Sequence, residues 1–222
     1  MQANNIFLDL CFDPKCRMNQ VDRYSGVYQE ASENLAEHVT EITMFSYLIA
    51  TKLKDCFGET IDFGLLFESC LLHDIEEVIT GDVPRNTKYA TQNIKKSLDN
   101  FAKESADAIL TKKQYAVWHN AKKGKEGFIL ALSDFLTVAK KCVVEIELRG
   151  NISFMKVLNE VLTLSDPNKM TIPAVFENQR SEKYFKDLLS ITSNELKQIY
   201  WKYKKTSDRY KITLNEVGLN ND

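Results

Sequence analysis

Four residues of this chain have the side chains and the setting to hold a metal ion: His38, His73, Asp74 and Asp134. Each falls where the neighbouring apolar residues predict the buried face of a helix. Burying a carboxylate costs several kcal/mol unless it is paired, protonated or bound to a metal. Two imidazoles and two carboxylates make a good nitrogen and oxygen site for a divalent transition metal. The alternative is a helical protein that tolerates a polar core, and it predicts no bound metal.

Three predicted helices position these residues. The first spans about residues 34–54 and starts at a capping-box-like pair, Asn34 and Glu37. His38 lies on its apolar stripe, which consists of Leu35, Ile42, Phe45 and Ile49. The second spans about 62–80, ends at Gly81, and carries His73 and Asp74 about 100° apart around the helix axis. The third, about 125–148, is apolar nearly all round and carries Asp134.

The other patterns also predict helices, at about residues 91–110, 153–164 and 181–204. With 8 Gly, 4 Pro and no useful period-2 runs, the chain is predicted to be all-α. No linker rich in Gly, Ser or Pro divides it, so residues 1–222 are predicted to form a single domain. Its motif-bearing core spans about 17–150, further helices span about 151–205, and residues 213–222 are expected to form a frayed tail.

Composition excludes several classes of protein. The 222 residues are 44% hydrophobic and 27% charged with a net charge of −2, so neither a nucleic acid polymer nor an anionic membrane is an expected partner. The first residues do not resemble a secretory signal, and no stretch is apolar enough to span a membrane. The five cysteines include no C-x-x-C pair, and Cys70 and Cys142 lie in apolar runs. A reduced, cytoplasmic setting is therefore predicted.

The segment from His38 to Asp134 resembles the HD-domain superfamily of metal phosphohydrolases, in which a first His, a His-Asp doublet and a final Asp lie on successive helices. The similarity is closest to the bacterial HD-domain 5′-deoxynucleotidases. It covers about residues 17–150, and the string E-V-I-T-G-D-x-P is specific to that branch. The matching stretches are A-E-H at 36–38, L-L-H-D-I-E-E-V-I-T-G-D-V-P at 71–84 and S-D-F-L at 133–136.

This resemblance implies an HD-type helical bundle, one divalent ion (Co, Mn, Zn, Fe or Mg) and further site residues. Glu77 occupies the position of an acidic residue near the attacking water, and its spacing from His73 and Asp74 places it on the same side of the helix. Glu76 is expected to face solvent. Asp82 occupies the family's substrate-contacting aspartate position, near the sugar and the leaving oxygen.

The resemblance also implies contacts to the nucleotide. Arg23 matches a phosphate-binding arginine, a role suited to its bidentate guanidinium. Tyr24 follows where the family usually has Trp, a departure that bears on the exclusion of a 2′-hydroxyl. Lys88 matches a lysine near the phosphate. With only three histidines in the chain and no second cluster, a single metal is favoured, and His119 is taken as structural or peripheral.

Together these residues imply metal-dependent hydrolysis of deoxynucleoside 5′-monophosphates to deoxynucleoside and phosphate. Asp74, Glu77 and Asp82 are the expected catalytic residues, and a homodimer is expected by analogy. Two alternatives stay open. One is a deoxynucleoside triphosphate triphosphohydrolase, which Arg85 beside Lys88 would favour, because a longer phosphate chain needs more cations. The other is a non-catalytic protein that binds a nucleotide.

Overall fold

Helices make up nearly all of the regular structure. The computed structural model describes residues 11–164 and 174–216, without the side chains of residues 164, 207 and 209–216. Within that part of the chain the only β pairing is an isolated bridge between Asp22 and Asn34, so the all-α prediction is confirmed. The α-helices are α1 (Leu35–Phe57), α2 (Phe63–Leu72), α3 (Glu77–Thr80), α4 (Arg85–Lys88), α5 (Gln92–Ile109), α6 (Lys112–Asn120), α7 (Gly124–Cys142), α8 (Met155–Leu164) and α9 (Gln179–Glu216). Short 3₁₀ segments cover Pro14–Gln20 and Ile152–Phe154, and a π-helical segment covers Val143–Leu148.

Helix α1 begins as its sequence predicts. The Asn34 side chain accepts the Glu37 N–H at 3.0 Å, and the Glu37 carboxylate accepts the Asn34 N–H at 3.0 Å. This reciprocal pair satisfies two amide groups that the first turn of a helix would otherwise leave without partners. Leu35 and Ile42 are fully buried along the predicted stripe, whereas Phe45 is only half-buried.

The predicted continuous helix over 62–80 is wrong, because the chain makes a tight turn from His73 to Glu76 between α2 and α3. Backbone hydrogen bonds there span three residues: Ile75 N–H donates to Leu72 and Glu77 N–H donates to Asp74. The His73 imidazole hydrogen-bonds to the backbone carbonyl of Cys70. In a continuous helix this carbonyl would accept the backbone N–H of the residue four positions later. Gly81 ends α3 at φ 70°, as predicted.

Other boundaries also differ from the sequence prediction. Helices α4 and α6 were not predicted, since one is a single turn and the other is a short polar stretch opened by a Thr111–Gln114 capping box. Helix α9 continues to Glu216, so the predicted helix end at about residue 204 is wrong, and the frayed tail at 213–222 stays a prediction. No Gly or Pro lies between Gln179 and Gly218, which explains why the helix continues beyond its predicted end. Residues 217–222 of the expected tail lie outside the described residues.

The chain separates into two units. Among the described residues, unit 1 comprises 11–26, 32–52 and 60–133, and unit 2 comprises 27–31, 53–59, 134–164 and 174–216. Fully buried side chains of unit 1 include Leu35, Ile42, Leu66, Ile75, Ile129 and Leu130, and those of unit 2 include Ile146, Phe154, Leu158, Phe185 and Leu196. That the chain forms a single domain stays a prediction.

Unit 2 is organised by two buried carboxylates. Glu59 accepts the amide N–H groups of Glu177 and Asn178 and the hydroxyl of Ser181, so it lies as an anion at the N-terminus of α9. Glu145 accepts the amide N–H groups of Glu30 and Ala31 at 2.9 and 3.0 Å. Both side chains are at most 2% exposed, so these hydrogen bonds form where water cannot replace them.

Glu145 has two further partners. Asn151 donates to its carboxylate at 2.7 Å, and Lys141 pairs with it at 3.1 Å. Burial alone would raise the pKa of Glu145, but these four donors together lower it from 4.5 to about 2. The carboxylate therefore connects the π-helical segment to residues 27–31 of the same unit.

No helix among the described residues has the length and apolar character needed to cross a membrane. None of the five cysteines forms a disulfide. Cys11, Cys16 and Cys56 are exposed, whereas Cys70 and Cys142 are buried, as their apolar neighbours predict.

Glu145→Gln should lower the free energy of unfolding at neutral pH by about 1–3 kcal/mol, because it weakens charge-assisted hydrogen bonds to a buried group. The folded pKa of Glu145 is depressed, so its contribution is present above pH 4.5 and is lost as the pH falls toward 2. Urea unfolding of wild type and variant should therefore converge across that window. Glu160→Gln, at a half-buried glutamate of α8, is the control. A constant difference at every pH would contradict this role.

Candidate metal centre

Three of the four expected ligands lie together in unit 1. His38 on α1, and His73 and Asp74 at the end of α2, offer ligand atoms that all lie within 4.8 Å of one another. The two imidazole centroids are 5.8 Å apart. His38 and His73 are at most 5% exposed, so the cluster is largely shielded from water. Two imidazoles and a carboxylate are suitable donors for a divalent transition metal.

His73 is oriented by a backbone carbonyl. Its Nδ1 lies 2.8 Å from the Cys70 oxygen, and because a carbonyl only accepts, Nδ1 must carry the proton. In the neutral ring the lone pair is then on Nε2, which lies 3.1 Å from Asp74 Oδ2. A nitrogen lone pair and a carboxylate oxygen repel at this distance. A proton or a metal ion between them would remove the repulsion, and this carbonyl contact is a usual outer-shell partner of metal-bound histidine.

His38 approaches the same carboxylate from α1. Its Nε2 lies 3.9 Å from Asp74 Oδ2, and its Nδ1 lies 3.7 Å from Glu33 Oε1. The Glu33 carboxylate favours the tautomer with the proton on Nδ1, which directs the Nε2 lone pair toward Asp74. Both imidazoles thus direct an Nε2 lone pair toward the Asp74 carboxylate.

Arg23 brings a guanidinium to this group of acids. It is 8% exposed, its Nε lies 3.2 Å from Glu33 Oε1, and one terminal nitrogen lies 3.7 Å from Asp74 Oδ2 and 4.0 Å from Glu77 Oε2. Burial opposes its charge, but the surrounding tyrosine and carboxylates raise the pKa of Arg23 above its ordinary value. A fixed positive charge therefore borders the expected metal ligands.

Glu77 lies on the first turn of α3, close to Asp74. Burial, followed by the charge of Asp74, raises the pKa of Glu77 from 4.5 to about 9, while Arg23 opposes that rise. The charge of this carboxyl group therefore depends on the positive charge near it. A half-buried acid whose charge depends on its neighbours is suited to exchange a proton with a reacting group.

Asp82 and Tyr24 are joined directly. The Tyr24 backbone N–H donates to Asp82 Oδ2 at 2.7 Å. Tyr24 adopts φ 58°, a left-handed conformation that is unfavourable for a residue with a Cβ and is often found at functional sites. The structure thus places the expected sugar-contacting residues next to each other, beside Arg23.

Glu76 differs from its expected position. It is half-buried, and its carboxylate accepts the indole N–H of Trp118 on α6 at 2.7 Å. Burial, with the nearby charge of Asp74, raises the pKa of Glu76 to about 7. The expectation that it faces solvent is wrong, because Trp118 packs against the buried cluster that contains Leu72 and Ile75.

The remaining candidates lie on other elements. Asp134 is half-buried on α7 and belongs to unit 2, whereas Ser133 directly before it belongs to unit 1. Its role as the fourth ligand stays a prediction. Lys88 is half-buried on α4, and its phosphate contact also stays a prediction. His119 is exposed on α6 and stacks on Tyr115, in keeping with a peripheral role.

Sequence reasoning missed Glu33 and the carbonyl of Cys70. Glu33 precedes the helix cap Asn34, and nothing in the apolar periodicity distinguishes it from a solvated glutamate. The carbonyl of Cys70 carries no sequence signal. Its position three residues before His73, within one helical turn, was the available clue.

Comparison with known proteins identifies the family of the chain. The profile of the YfbR-like 5′-deoxynucleotidases matches residues 12–184. A 5′-deoxynucleotidase of Shewanella oneidensis is 30% identical over 78 residues, which are 35% of this chain and 40% of that protein. The 5′-deoxynucleotidase YfbR of Salmonella typhi is 24% identical over 143 residues, 61% of this chain and 72% of that protein. The matched part of the chain thus spans less than half of the Shewanella protein.

Solved structures show the same fold. An HD-domain phosphohydrolase from Listeria innocua superposes with a TM-score of 0.64 at 21% identity, over 90% of this chain and 99% of that one. A cyanophage S-2L HD phosphohydrolase, bound to dA and one catalytic Zn²⁺ ion, superposes with a TM-score of 0.53 at 12% identity, over 88% and 95%. These likenesses confirm the HD-type fold. With the family profile covering most of its length, the chain belongs to the YfbR-like 5′-deoxynucleotidase family of HD-domain phosphohydrolases.

Proposed function

We propose that this protein is a metal-dependent 5′-deoxynucleotidase that hydrolyses deoxynucleoside 5′-monophosphates to deoxynucleoside and phosphate. The observation that carries the proposal is the convergence of His38, His73 and Asp74 beside the buried guanidinium of Arg23. The family of the chain and the names of its relatives support the substrate class.

One divalent ion would be held by His38, His73, Asp74 and Asp134. The donor set fits such an ion, because His73 Nε2 and Asp74 Oδ2 face each other at 3.1 Å and the Cys70 carbonyl fixes the tautomer. Mixed imidazole and carboxylate donors suit Co, Mn, Zn, Fe or Mg. When bound, the ion would supply Lewis-acid polarisation of the phosphoryl group and lower the pKa of water. The cyanophage phosphohydrolase, which has the same fold, is bound to one catalytic Zn²⁺ ion, and this supports a divalent ion as cofactor.

The protein's own residues bind the phosphate and move protons. Arg23 is buried and its Nε lies beside Glu33, so its terminal nitrogens can donate two parallel hydrogen bonds to two oxygens of the phosphoryl group. Glu77 or Asp74 accepts the proton of the attacking water. Positive charge near Asp74 lowers the pKa of Glu77 from its raised value, which prepares the carboxylate to act as a base.

Asp82 and Tyr24 would bind the sugar. The amide N–H of Tyr24 holds one oxygen of Asp82, so the carboxylate is oriented before a substrate arrives. Asp82 then positions the sugar or passes a proton to the leaving 5′-oxygen. Tyr24 is smaller than the tryptophan usual in the family, so discrimination against a 2′-hydroxyl is expected to be weaker. Lys88 would add a second cation near the phosphate.

The metal site predicts stabilisation by ions. At a concentration about 100 times its Kd, Mn²⁺, Co²⁺ or Zn²⁺ added to chelator-treated protein should raise the melting temperature by about 5–10 °C. Asp74→Ala and His38→Ala should lose this rise, because each removes a ligand. His119→Ala, at an exposed histidine, should keep it. Equal shifts in all three variants would place the ion elsewhere.

The proposed reaction is tested by adding single metals to chelator-treated protein with a panel of dNMPs, NMPs and dNTPs. Inorganic phosphate should be released from dNMPs only with metal. Glu77→Gln should lower kcat by about 10²–10⁴-fold, because it removes the proton acceptor and leaves the metal ligands in place. Glu68→Gln, on α2, should retain full activity.

Other products would contradict this proposal in distinct ways. Release of triphosphate from a dNTP would make the protein a triphosphohydrolase, with Arg85 and Lys88 as candidates for the extra charge. Nucleotide binding without any product would leave a binding protein that uses the same site.

We also propose a homodimer and a cytoplasmic location. Three neighbouring side chains of α1, Met44, Tyr47 and Leu48, are 46–57% exposed, as is Leu71 of α2 at 50%. The Tyr47 ring contacts Phe63 and Phe67 of α2, so the two helices share one apolar face in unit 1. Exposed apolar patches of this kind are typical of protein interfaces. The free thiols, three of them exposed, favour a reducing compartment.

Leu48→Glu and Leu71→Glu should convert the dimer to a monomer, because each buries a charge in the proposed interface. Size-exclusion chromatography with light scattering should give twice the protomer mass for the wild type and the protomer mass for these variants. Ile94→Glu, at an exposed isoleucine of α5, is the control. A monomeric wild type, or a dimer in all variants, would exclude this interface.

A further inference from the structure

Glu33 is a largely buried carboxylate at the edge of the candidate metal centre, with a side chain that is 14% exposed. A single oxygen, Oε1, lies 3.2 Å from Arg23 Nε and 3.7 Å from His38 Nδ1. It therefore lies between the expected phosphate-binding residue and an expected metal ligand. Glu33 lies beside Nδ1 of His38, whereas the nitrogen that His38 directs toward Asp74 is Nε2. Glu33 is therefore not placed as a metal ligand.

The backbone fixes Glu33 in this place. The Arg23 N–H donates to the Glu33 carbonyl at 2.9 Å, and the Leu35 N–H donates to the Val21 carbonyl at 2.9 Å. These bonds form the isolated bridge of Asp22 and Asn34 and attach the segment that carries Arg23 to the first turn of α1. Because Asn34 also caps α1, Glu33 is held within one residue of a fixed helix end.

We infer that Glu33 is a positioning residue with two roles: it orients His38 for the metal and holds Arg23 for the phosphate. The inference rests on the proposed function. Both roles follow from one carboxylate, because its negative charge favours a proton on His38 Nδ1 and attracts the Nε side of the guanidinium.

The role toward Arg23 has a specific consequence. The terminal nitrogen of Arg23 already lies 3.7 Å from Asp74, an expected metal ligand. Without Glu33, the attraction of Asp74 would draw the guanidinium further toward the metal ligands, where it would compete with a cation. Glu33 provides a counter-charge on the opposite side and so keeps the arginine from occupying the metal position.

The test is Mn²⁺ affinity, measured from the free-ion signal in electron paramagnetic resonance, alongside the KM and kcat for a dNMP. Glu33→Gln should raise the Kd for Mn²⁺ by about tenfold, because it removes the negative charge that lies 3.7 Å from His38 Nδ1 and favours a proton there. Glu68→Gln, at a half-buried glutamate of α2, should bind Mn²⁺ like the wild type. Melting temperatures without metal show whether each variant folds.

Arg23→Ala separates the two roles. Alone, it should raise KM and change the Kd for Mn²⁺ by less than about threefold. Glu33→Ala added to Arg23→Ala should still weaken Mn²⁺ binding, because the negative charge beside His38 Nδ1 is lost. It should do so less than Glu33→Ala alone, because no guanidinium is left to compete with the ion. It should raise KM little further, since the arginine it positions is already absent.

Two results would overturn the inference. If Glu33→Gln lowers the melting temperature but leaves the Kd for Mn²⁺ and the KM at wild-type values, Glu33 is a structural residue only. If the wild-type protein binds none of Mn²⁺, Co²⁺ and Zn²⁺, the proposed metal site is overturned, and this inference with it. Wild-type metal binding with unaffected Glu33 variants would leave the proposed function intact.

Discussion

The carboxylate of Asp74 is the group around which unit 1 is arranged. It lies 3.1 Å from one imidazole, 3.9 Å from another and 3.7 Å from a guanidinium, with its side chain 20% exposed. The Cys70 carbonyl requires the proton of His73 on Nδ1, so the facing nitrogen meets a negatively charged oxygen. Such an arrangement is stable only with positive charge between the two atoms. This requirement is the physical reason to expect a cation at this place in the fold.

The tight turn after α2 makes this arrangement compatible with a packed core. Within five residues it directs His73, Asp74 and Glu77 to the polar cluster, while Leu72 and Ile75 are buried with Ala106 and Leu110. A regular helix would distribute these side chains differently around its axis. The cost is local, because Glu77 is buried with a raised pKa and Tyr24 adopts a left-handed backbone. Strain and buried charge at one place are usual at functional sites.

Local signals predicted the parts of this protein that depend on local interactions. The Asn34–Glu37 capping pair and the helix end at Gly81 were predicted correctly, because each depends on residues within four positions of it in the chain. The burial of His38 and His73 followed from apolar periodicity. The turn at 73–76 did not, because it depends on an imidazole that takes a carbonyl from its own helix. The sequence also did not predict contacts between residues far apart in the chain, because packing decides which residues meet. Examples are Glu76 with Trp118 and Glu33 with Arg23. The role of Asp134 and the phosphate contact of Lys88 remain predictions from the family pattern.

A crystal structure of the protein grown with Mn²⁺, with the ion located by its anomalous scattering, tests the central claim most directly. We expect one strong peak within coordination distance of His38 Nε2, His73 Nε2 and an oxygen of Asp74. A peak elsewhere on the chain, or none at these residues at saturating Mn²⁺, would contradict it. The histidines and Asp74 would then form a polar core without a metal.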